Sequence, residues 1–335
     1  MKKITFIILL FCLGIQFSCS DEPLNKSLTF PDKIVYRDFD QHLWLYDHNQ
    51  KDSLQLTADS ERGTRLSYTK HNPWSPDNSK ILFTRIWSSG GLYAINSDGT
   101  GRKLLDSAGL AGEWSPDGKE IVYNARSVSG SWDVYKIKFD GSDRTQLISI
   151  EDSDDHVIDT FRPAWSPSGD KIAVRIKVND VWQLWSMNSD GTDQMPLVES
   201  GTKTFVWSPE GGRLAVQLDD GMVIINTDGS VSFTQPEVTY IDSWAPSGEH
   251  IAVRTDDGIG VLNLNDGRVK YIKDYFDETY VSFFSGSFSS DGEWIVFTSN
   301  EDPVFLRIWA LHIESEELIQ MVEGNSPRCS NASLK

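Results

Sequence analysis

Trp114-Ser115-Pro116-Asp117-Gly118 returns along the chain in close copies. They are Trp74-Ser75-Pro76-Asp77-Asn78, Trp165-Ser166-Pro167-Ser168-Gly169, Trp207-Ser208-Pro209-Glu210-Gly211, Trp244-Ala245-Pro246-Ser247-Gly248 and the more distant Phe288-Ser289-Ser290-Asp291-Gly292. From one leading aromatic to the next the steps are 40, 51, 42, 37 and 44 residues. A recurrence near forty marks an array of one supersecondary unit. Ser at the first corner, Pro at the second and Gly at the fourth suit a type I turn. Asn78 stands where the other copies have Gly, and Asn is the usual substitute in left-handed backbone. A large apolar ring recurring just before the turn is expected in the interior rather than stacked on a ligand.

After each turn comes a β-rich run such as Lys119-Glu120-Ile121-Val122-Tyr123, then a second such as Trp132 to Ile137. An Asp-Gly turn and a run ending in Leu, such as Thr145-Gln146-Leu147, complete the unit. Short runs bounded by turn residues are strands. Four per unit, A to D, predict an antiparallel sheet in which A ends at the aromatic. The C-to-D turns repeat as Asn96-Ser97-Asp98-Gly99-Thr100, Asn188-Ser189-Asp190-Gly191-Thr192 and their relatives. Asp-Gly between strands is a hairpin signal. A calcium loop would need further oxygen ligands and a bidentate Glu, which these runs lack.

The two ends of the chain decide closure. Lys33 to Tyr36, Leu43 to Tyr46 and Leu54 to Thr57 read as strands B, C and D with no A before them. Ser326-Pro327-Arg328-Cys329-Ser330 aligns with Arg162-Pro163-Ala164-Trp165-Ser166 and reads as an A strand with nothing after it. Joining them completes one sheet from both termini and removes the open edges of the array. With B strands starting at Lys33, Lys80, Lys119, Lys171, Arg213, Glu249 and Glu293, the expectation is an all-β, seven-bladed β-propeller with four-stranded antiparallel blades. The Trp-Ser-Pro-Asp-Gly turn, the strand after it, the aliphatic-Tyr strand and the Asp-Gly turn resemble the TolB-type, WD-like propeller repeat over roughly residues 30 to 330. The N-terminal α/β domain of TolB has no counterpart ahead of Lys33.

The 335 residues carry a formal charge of −18. Without a leader holding Lys2 and Lys3 the remainder is −18 − 2 = −20. Such a surface disfavours nucleic acid and anionic lipid as partners. Lys2-Lys3 and the apolar Ile4 to Leu13 form a signal-like leader too short to span a bilayer. Ser18-Cys19-Ser20-Asp21-Glu22 resembles a bacterial lipoprotein signal, which implies acylation of Cys19 and membrane attachment there. The expected organisation is a signal peptide over 1–18, a tether over 19–30 and one propeller over 31–335. Cys12 and Cys19 belong to the leader, so Cys329 is the only thiol of the body and an intrachain disulfide framework is excluded.

Tight, repetitive A-to-B and C-to-D turns occupy one face. The opposite face carries D-to-A and B-to-C loops of varying length, where function is expected. Glu151-Asp152-Ser153-Asp154-Asp155-His156 is there, either a solvated charge run or a weak Ca²⁺ site. Tyr275, Phe276 and Tyr280 are there too, as packing under a long loop or a surface for sugar rings or a protein hot spot. The end of strand B bears Arg37, Arg85, Arg126, Arg175 and Arg254 within one residue of a shared register. These cations either pair with acids between blades or form a positive ring that focuses an anionic ligand.

No His pair has metal-ligand spacing. Oligogalacturonate lyases are similar seven-bladed propellers with a His-held metal. That resemblance makes His42, His71 and His156 the candidates for a divalent metal. Trp-Ser-Pro is no nucleophile elbow, and no catalytic residue is assigned. The reading is a monomeric, lipid-anchored propeller of the cell envelope, periplasmic or surface-facing, that binds an envelope protein or an anionic glycan. A polysaccharide lyase is the alternative.

Overall fold

The repeated pentapeptide folds as its chemistry requires. In each copy the fourth-corner N–H donates to the first-corner carbonyl: Gly118 to Ser115 at 2.8 Å, Asn78 to Ser75 and Gly211 to Ser208 at 2.9 Å. The fourth corner is left-handed, with φ of 71° at Gly118 and 57° at Asn78. The serine hydroxyl serves two partners. Ser115 Oγ donates to Asp117 Oδ1 at 2.7 Å and accepts from Glu120 N at 2.9 Å, which ties the turn to the strand that follows.

The computed structural model describes residues 30, 32–38, 40–58, 64–66, 73–85, 90–128, 130–149, 163–256, 258–271, 283–302, 305–323 and 325–329, with 64–66, 283–285, 299–302, 305–306, 323 and 325–329 described by their backbone. Blade 1 holds β1 (Lys33–Arg37), β2 (Leu43–Asp47) and β3 (Asp52–Gln55). Blade 2 is β4 (Thr64–Leu66), β5 (Lys80–Arg85), β6 (Gly91–Asn96) and β7 (Lys103–Asp106). Blade 3 is β8 (Gly109–Trp114), β9 (Glu120–Arg126), β10 (Trp132–Lys138) and β11 (Thr145–Ile148). Blade 4 is β12 (Ala164–Trp165), β13 (Lys171–Val178), β14 (Val181–Asn188) and β15 (Met195–Val198). Blade 5 is β16 (Thr204–Trp207), β17 (Arg213–Leu218), β18 (Gly221–Asn226) and β19 (Val231–Gln235). Blade 6 is β20 (Tyr240–Trp244), β21 (His250–Thr255), β22 (Gly258–Asn263) and β23 (Val269–Tyr271). Blade 7 is β24 (Phe283–Phe288), β25 (Trp294–Asp302), β26 (Phe305–His312) and β27 (Leu318–Glu323).

The last strand, β28 (Asn325–Cys329), joins blade 1 in the order β28-β1-β2-β3, so seven antiparallel four-stranded sheets close the ring as expected. Cys329 pairs with Ile34 in the register that Trp114 takes with Ile121. Three B strands, expected from Lys119, Glu249 and Glu293, begin one residue later at Glu120, His250 and Trp294.

The A strands of several neighbouring blades touch, which makes them the innermost layer, whereas each D strand pairs with its own C strand at the rim. The core lies between blades. Val35, Leu43 and Leu45 of blade 1 pack on Trp74, Ile81, Phe83 and Tyr93 of blade 2. Corresponding clusters fill the other interfaces, the last setting Ile34 and Tyr36 against Trp294 and Val296.

The recurrent tryptophans are interior, as expected, and two also bond across blades. Trp114 Nε1 donates to Pro73 O and Trp207 Nε1 to Ala164 O, both at 3.2 Å. The side chain just before the aromatic makes the return contact. Glu113 Oε2 accepts from Trp165 N at 3.1 Å, and Ser243 Oγ from Phe288 N at 3.3 Å.

Candidate ligand-binding face

Each B strand runs from the tight turn toward the face of variable loops, so its last residues form that rim. Counting from the repeat aromatic as zero, the tenth residue is Thr84, Asn124, Arg175, Gln217, Arg254 or Thr298. Ile34 holds the seventh place by its pairing with Cys329, which makes Arg37 the tenth in blade 1. All seven tenth positions are therefore polar, although the strand residues before them are apolar. They face the following blade, and several fasten it. Arg175 Nε donates to Thr202 O at 2.7 Å and Gln217 Nε2 to Val238 O at 3.0 Å. Thr84 Oγ1 accepts from Ala111 N at 3.3 Å. Thr84, Asn124, Gln217 and Thr298 are rim residues that a search for arginines alone passes over. Their signal was the constant distance of ten residues from the aromatic.

Arg37, Arg175 and Arg254 share that register, Arg126 lies two residues further on, and Arg85 one. Arg254 forms a two-point pair with Asp242, Nε to Oδ2 and Nη2 to Oδ1, each at 3.1 Å. Asp242 sits at a bulge between Ile241 and Ser243, and its side chain is 2% exposed. Both guanidinium planes are backed by rings. Arg254 Cζ is 3.9 Å from the Tyr240 ring centroid, and Arg175 Cζ is 3.9 Å from that of Trp182. Arg37 Nη1 donates to Gln41 Oε1 at 2.7 Å, and Arg126 Nε to Gly130 O at 3.1 Å. Arg254 thus takes an acid as partner, Arg37, Arg126 and Arg175 donate to neutral oxygens, and Arg85 is buried over Tyr93.

His42 is buried in the blade 1 hairpin. Its Nδ1 lies 3.1 Å from Asp38 Oδ2, which also accepts from Trp44 Nε1 at 2.9 Å. Burial alone would raise the Asp38 carboxyl. Hydrogen bonds from the His42 backbone, the Trp44 indole and the His42 ring outweigh it and hold the group below its ordinary value. His71, His156, the run Glu151 to His156, Tyr275, Phe276, Tyr280 and Cys19 lie outside the described residues. Among the described residues no group of three or more His, Cys, Asp or Glu is placed to hold a metal ion. One described histidine, already engaged by Asp38, does not make a metal site, and no chemical step is derived through one.

The propeller of this chain aligns with TolB from Acinetobacter baumannii over 89% of its own length and 81% of that chain, at 16% identity and a TM-score of 0.53. The fold is TolB-like. An oligogalacturonate lyase from Vibrio parahaemolyticus shares the architecture of this TolB-like propeller at 12% identity and a TM-score of 0.62, over 85% of this chain and 92% of that one. So does a functionally unknown protein from Desulfotomaculum acetoxidans, at 13% identity and a TM-score of 0.60, over 90% and 99%. At these identities the likeness of the TolB-like ring is one of fold. No family model matches the sequence, and no curated protein is similar to it.

Proposed function

We propose that this chain is an extracytoplasmic binding module, anchored through Cys19, whose variable face engages an anionic oligosaccharide or an acidic segment of an envelope protein. The observation that carries this reading is the pair of ring-backed guanidinium groups, Arg175 over Trp182 and Arg254 over Tyr240, at the rim of that face. A guanidinium held flat on a ring is fixed in orientation, and its planar fork geometry suits carboxylates. In a chain of net charge −18 such positions are the exceptions that would draw an anion. An adjacent aromatic adds an apolar surface suited to a sugar ring. The names of the similar structures, TolB and oligogalacturonate lyase, accord with an envelope role or an acidic glycan.

Calorimetric titration of the full chain with an oligogalacturonate tests this reading. Arg175→Ala and Arg254→Ala should each weaken binding about tenfold, the loss of one charge-assisted hydrogen bond. Unchanged affinity in both folded variants would discard the idea. A lyase is the second reading, favoured by the similarity to the Vibrio enzyme. It requires formation of an unsaturated product and loss of a bound divalent metal on His42→Ala. Anchoring is tested separately, by incorporation of labelled fatty acid that Cys19→Ser abolishes.

A further inference from the structure

We infer that the rim of the interface between blades 1 and 2 is an oxyanion subsite, with Arg85 as its receptor and Arg37 on the facing wall. This rests on the binding-face reading and gives it a location. The register places the two residues. Ile81, Phe83 and Tyr93 of blade 2 pack against Val35, Leu43 and Leu45 of blade 1. Side chains alternate along a strand, so Arg85 shares the Phe83 side of β5 and points toward blade 1. Arg37 shares the Val35 side of β1 and points toward blade 2. Both cations therefore address one interface.

Arg85 differs from its counterparts in how its charge is met. It is 8% exposed, and its Nε is buried. Among the described residues none accepts a hydrogen bond from that Nε. Its one described neighbour of opposite character is the face of Tyr93, with Cζ 5.9 Å from the centroid. Tyr93 is itself stacked on Phe83 at 5.4 Å and 14°. A ring at that distance is near the limit of a useful cation–π contact. Guanidinium does not lose its proton in proteins, so deprotonation cannot relieve the burial. A buried guanidinium N–H left without an acceptor is unfavourable. Arg254 avoids this through Asp242 and Arg175 through the Thr202 carbonyl. A carboxylate or phosphate entering from the rim would supply for Arg85 what those groups supply elsewhere, at the fork geometry guanidinium prefers.

Thermal unfolding of the full chain, with sodium glucuronate or inorganic phosphate against sodium chloride at equal ionic strength, tests this. With anion at ten times its Kd the wild-type Tm should rise by about 2 °C or more above the chloride control. The arm that responds identifies carboxylate or phosphate. Arg85→Met removes the charge at similar volume, so it should unfold no earlier than wild type without anion and should lose the response. Arg85→Lys keeps charge but not the fork and should need roughly tenfold more anion. No response in wild type, or an undiminished one in Arg85→Met, overturns the subsite. If Arg85→Met does not fold, an undiminished response in Arg85→Lys does so. Loss of oligogalacturonate binding in Arg175→Ala with a normal glucuronate and phosphate response in Arg85→Met would sink the subsite alone and leave the face reading standing.

Discussion

Asp32 and Ser290, 258 residues apart in sequence, are joined by a two-point contact: the Asp32 carboxylate accepts from Ser290 N at 2.7 Å and from its hydroxyl. Between other blades the turns stack, so that a Cβ at Gly118 would lie 3.5 Å from Pro76 and one at Gly169 3.6 Å from Pro116. Blade 7 has Ser290 at the proline position, and Asp32 replaces the stack with hydrogen bonds at the seam where the ring closes.

Asp32→Ala should therefore loosen the seam. Asp32 is 4% exposed, and removing two bonds to a charged acceptor should cost about 2–4 kcal/mol. Urea unfolding should show the loss at an unchanged slope, with Asp32→Asn falling between. A wild-type midpoint in Asp32→Ala would mean that β28 alone holds the ring shut.

The pentapeptide turns predict an acid limb. The Ser75 hydroxyl holds the Asp77 carboxyl down to about 2 from an ordinary 3.8, and the Ser115 hydroxyl does the same for Asp117, also to about 2. A depressed carboxyl stabilises the fold above its unfolded pKa and ceases to do so as pH falls through the folded value. The urea midpoint should thus drop between pH 4 and 2. The double variant Ser75→Ala/Ser115→Ala should be weaker at neutral pH, having lost the bonds to Lys80 N and Glu120 N, and should show a shallower acid limb. An equal slope in variant and wild type would assign acid unfolding elsewhere.

Glu113 works in the opposite sense. On the innermost strand β8, burial pushes its carboxyl well above the ordinary 4.5, and the N–H of Trp165 only partly offsets this. A raised carboxyl contributes stability below its unfolded pKa, and that contribution disappears as pH rises through the folded value. At neutral to alkaline pH the group is therefore a liability. Glu113→Gln keeps an acceptor for Trp165 N without a charge. Its Tm should exceed that of wild type at pH 8 and converge with it below pH 4.5. A difference independent of pH would refute the assignment.

Much of this was legible from local chemistry. Turn residues at fixed offsets mark the blades, and Cys329 marks the Trp place because Ser326 to Ser330 copies the residues around Trp165. The site was less legible. Five arginines spread over three successive places at the end of strand B look equivalent in sequence, but a one-residue shift turns a side chain to the other face of its sheet. That shift sends Arg85 toward blade 1, whereas Arg37, Arg175 and Arg254 face the blade that follows. The role of Asp32 had no signal at all, since its partner is supplied by the other end of the chain.

Arg254 and Asp242 serve both stability and the proposed binding face, and the two roles can be separated. The Asp242 side chain is 2% exposed and that of Arg254 26%. A Cβ at Gly286 of blade 7 would sit 3.6 Å from Asp242 Cβ, so the carboxylate is enclosed and has little room to turn away. Arg254→Met leaves that carboxylate buried without its cation and should cost about 3–5 kcal/mol. Asp242→Leu should cost somewhat less, because Arg254 can reach water. Combining them replaces a charged pair by an apolar one, so the double variant should recover most of the loss, with a coupling of about 2 kcal/mol or more in the cycle. Oligogalacturonate affinity, measured well below every Tm, should stay low in the double variant although its stability returns. Recovery of affinity along with stability would show that Arg254 acts only as a strut for blade 6.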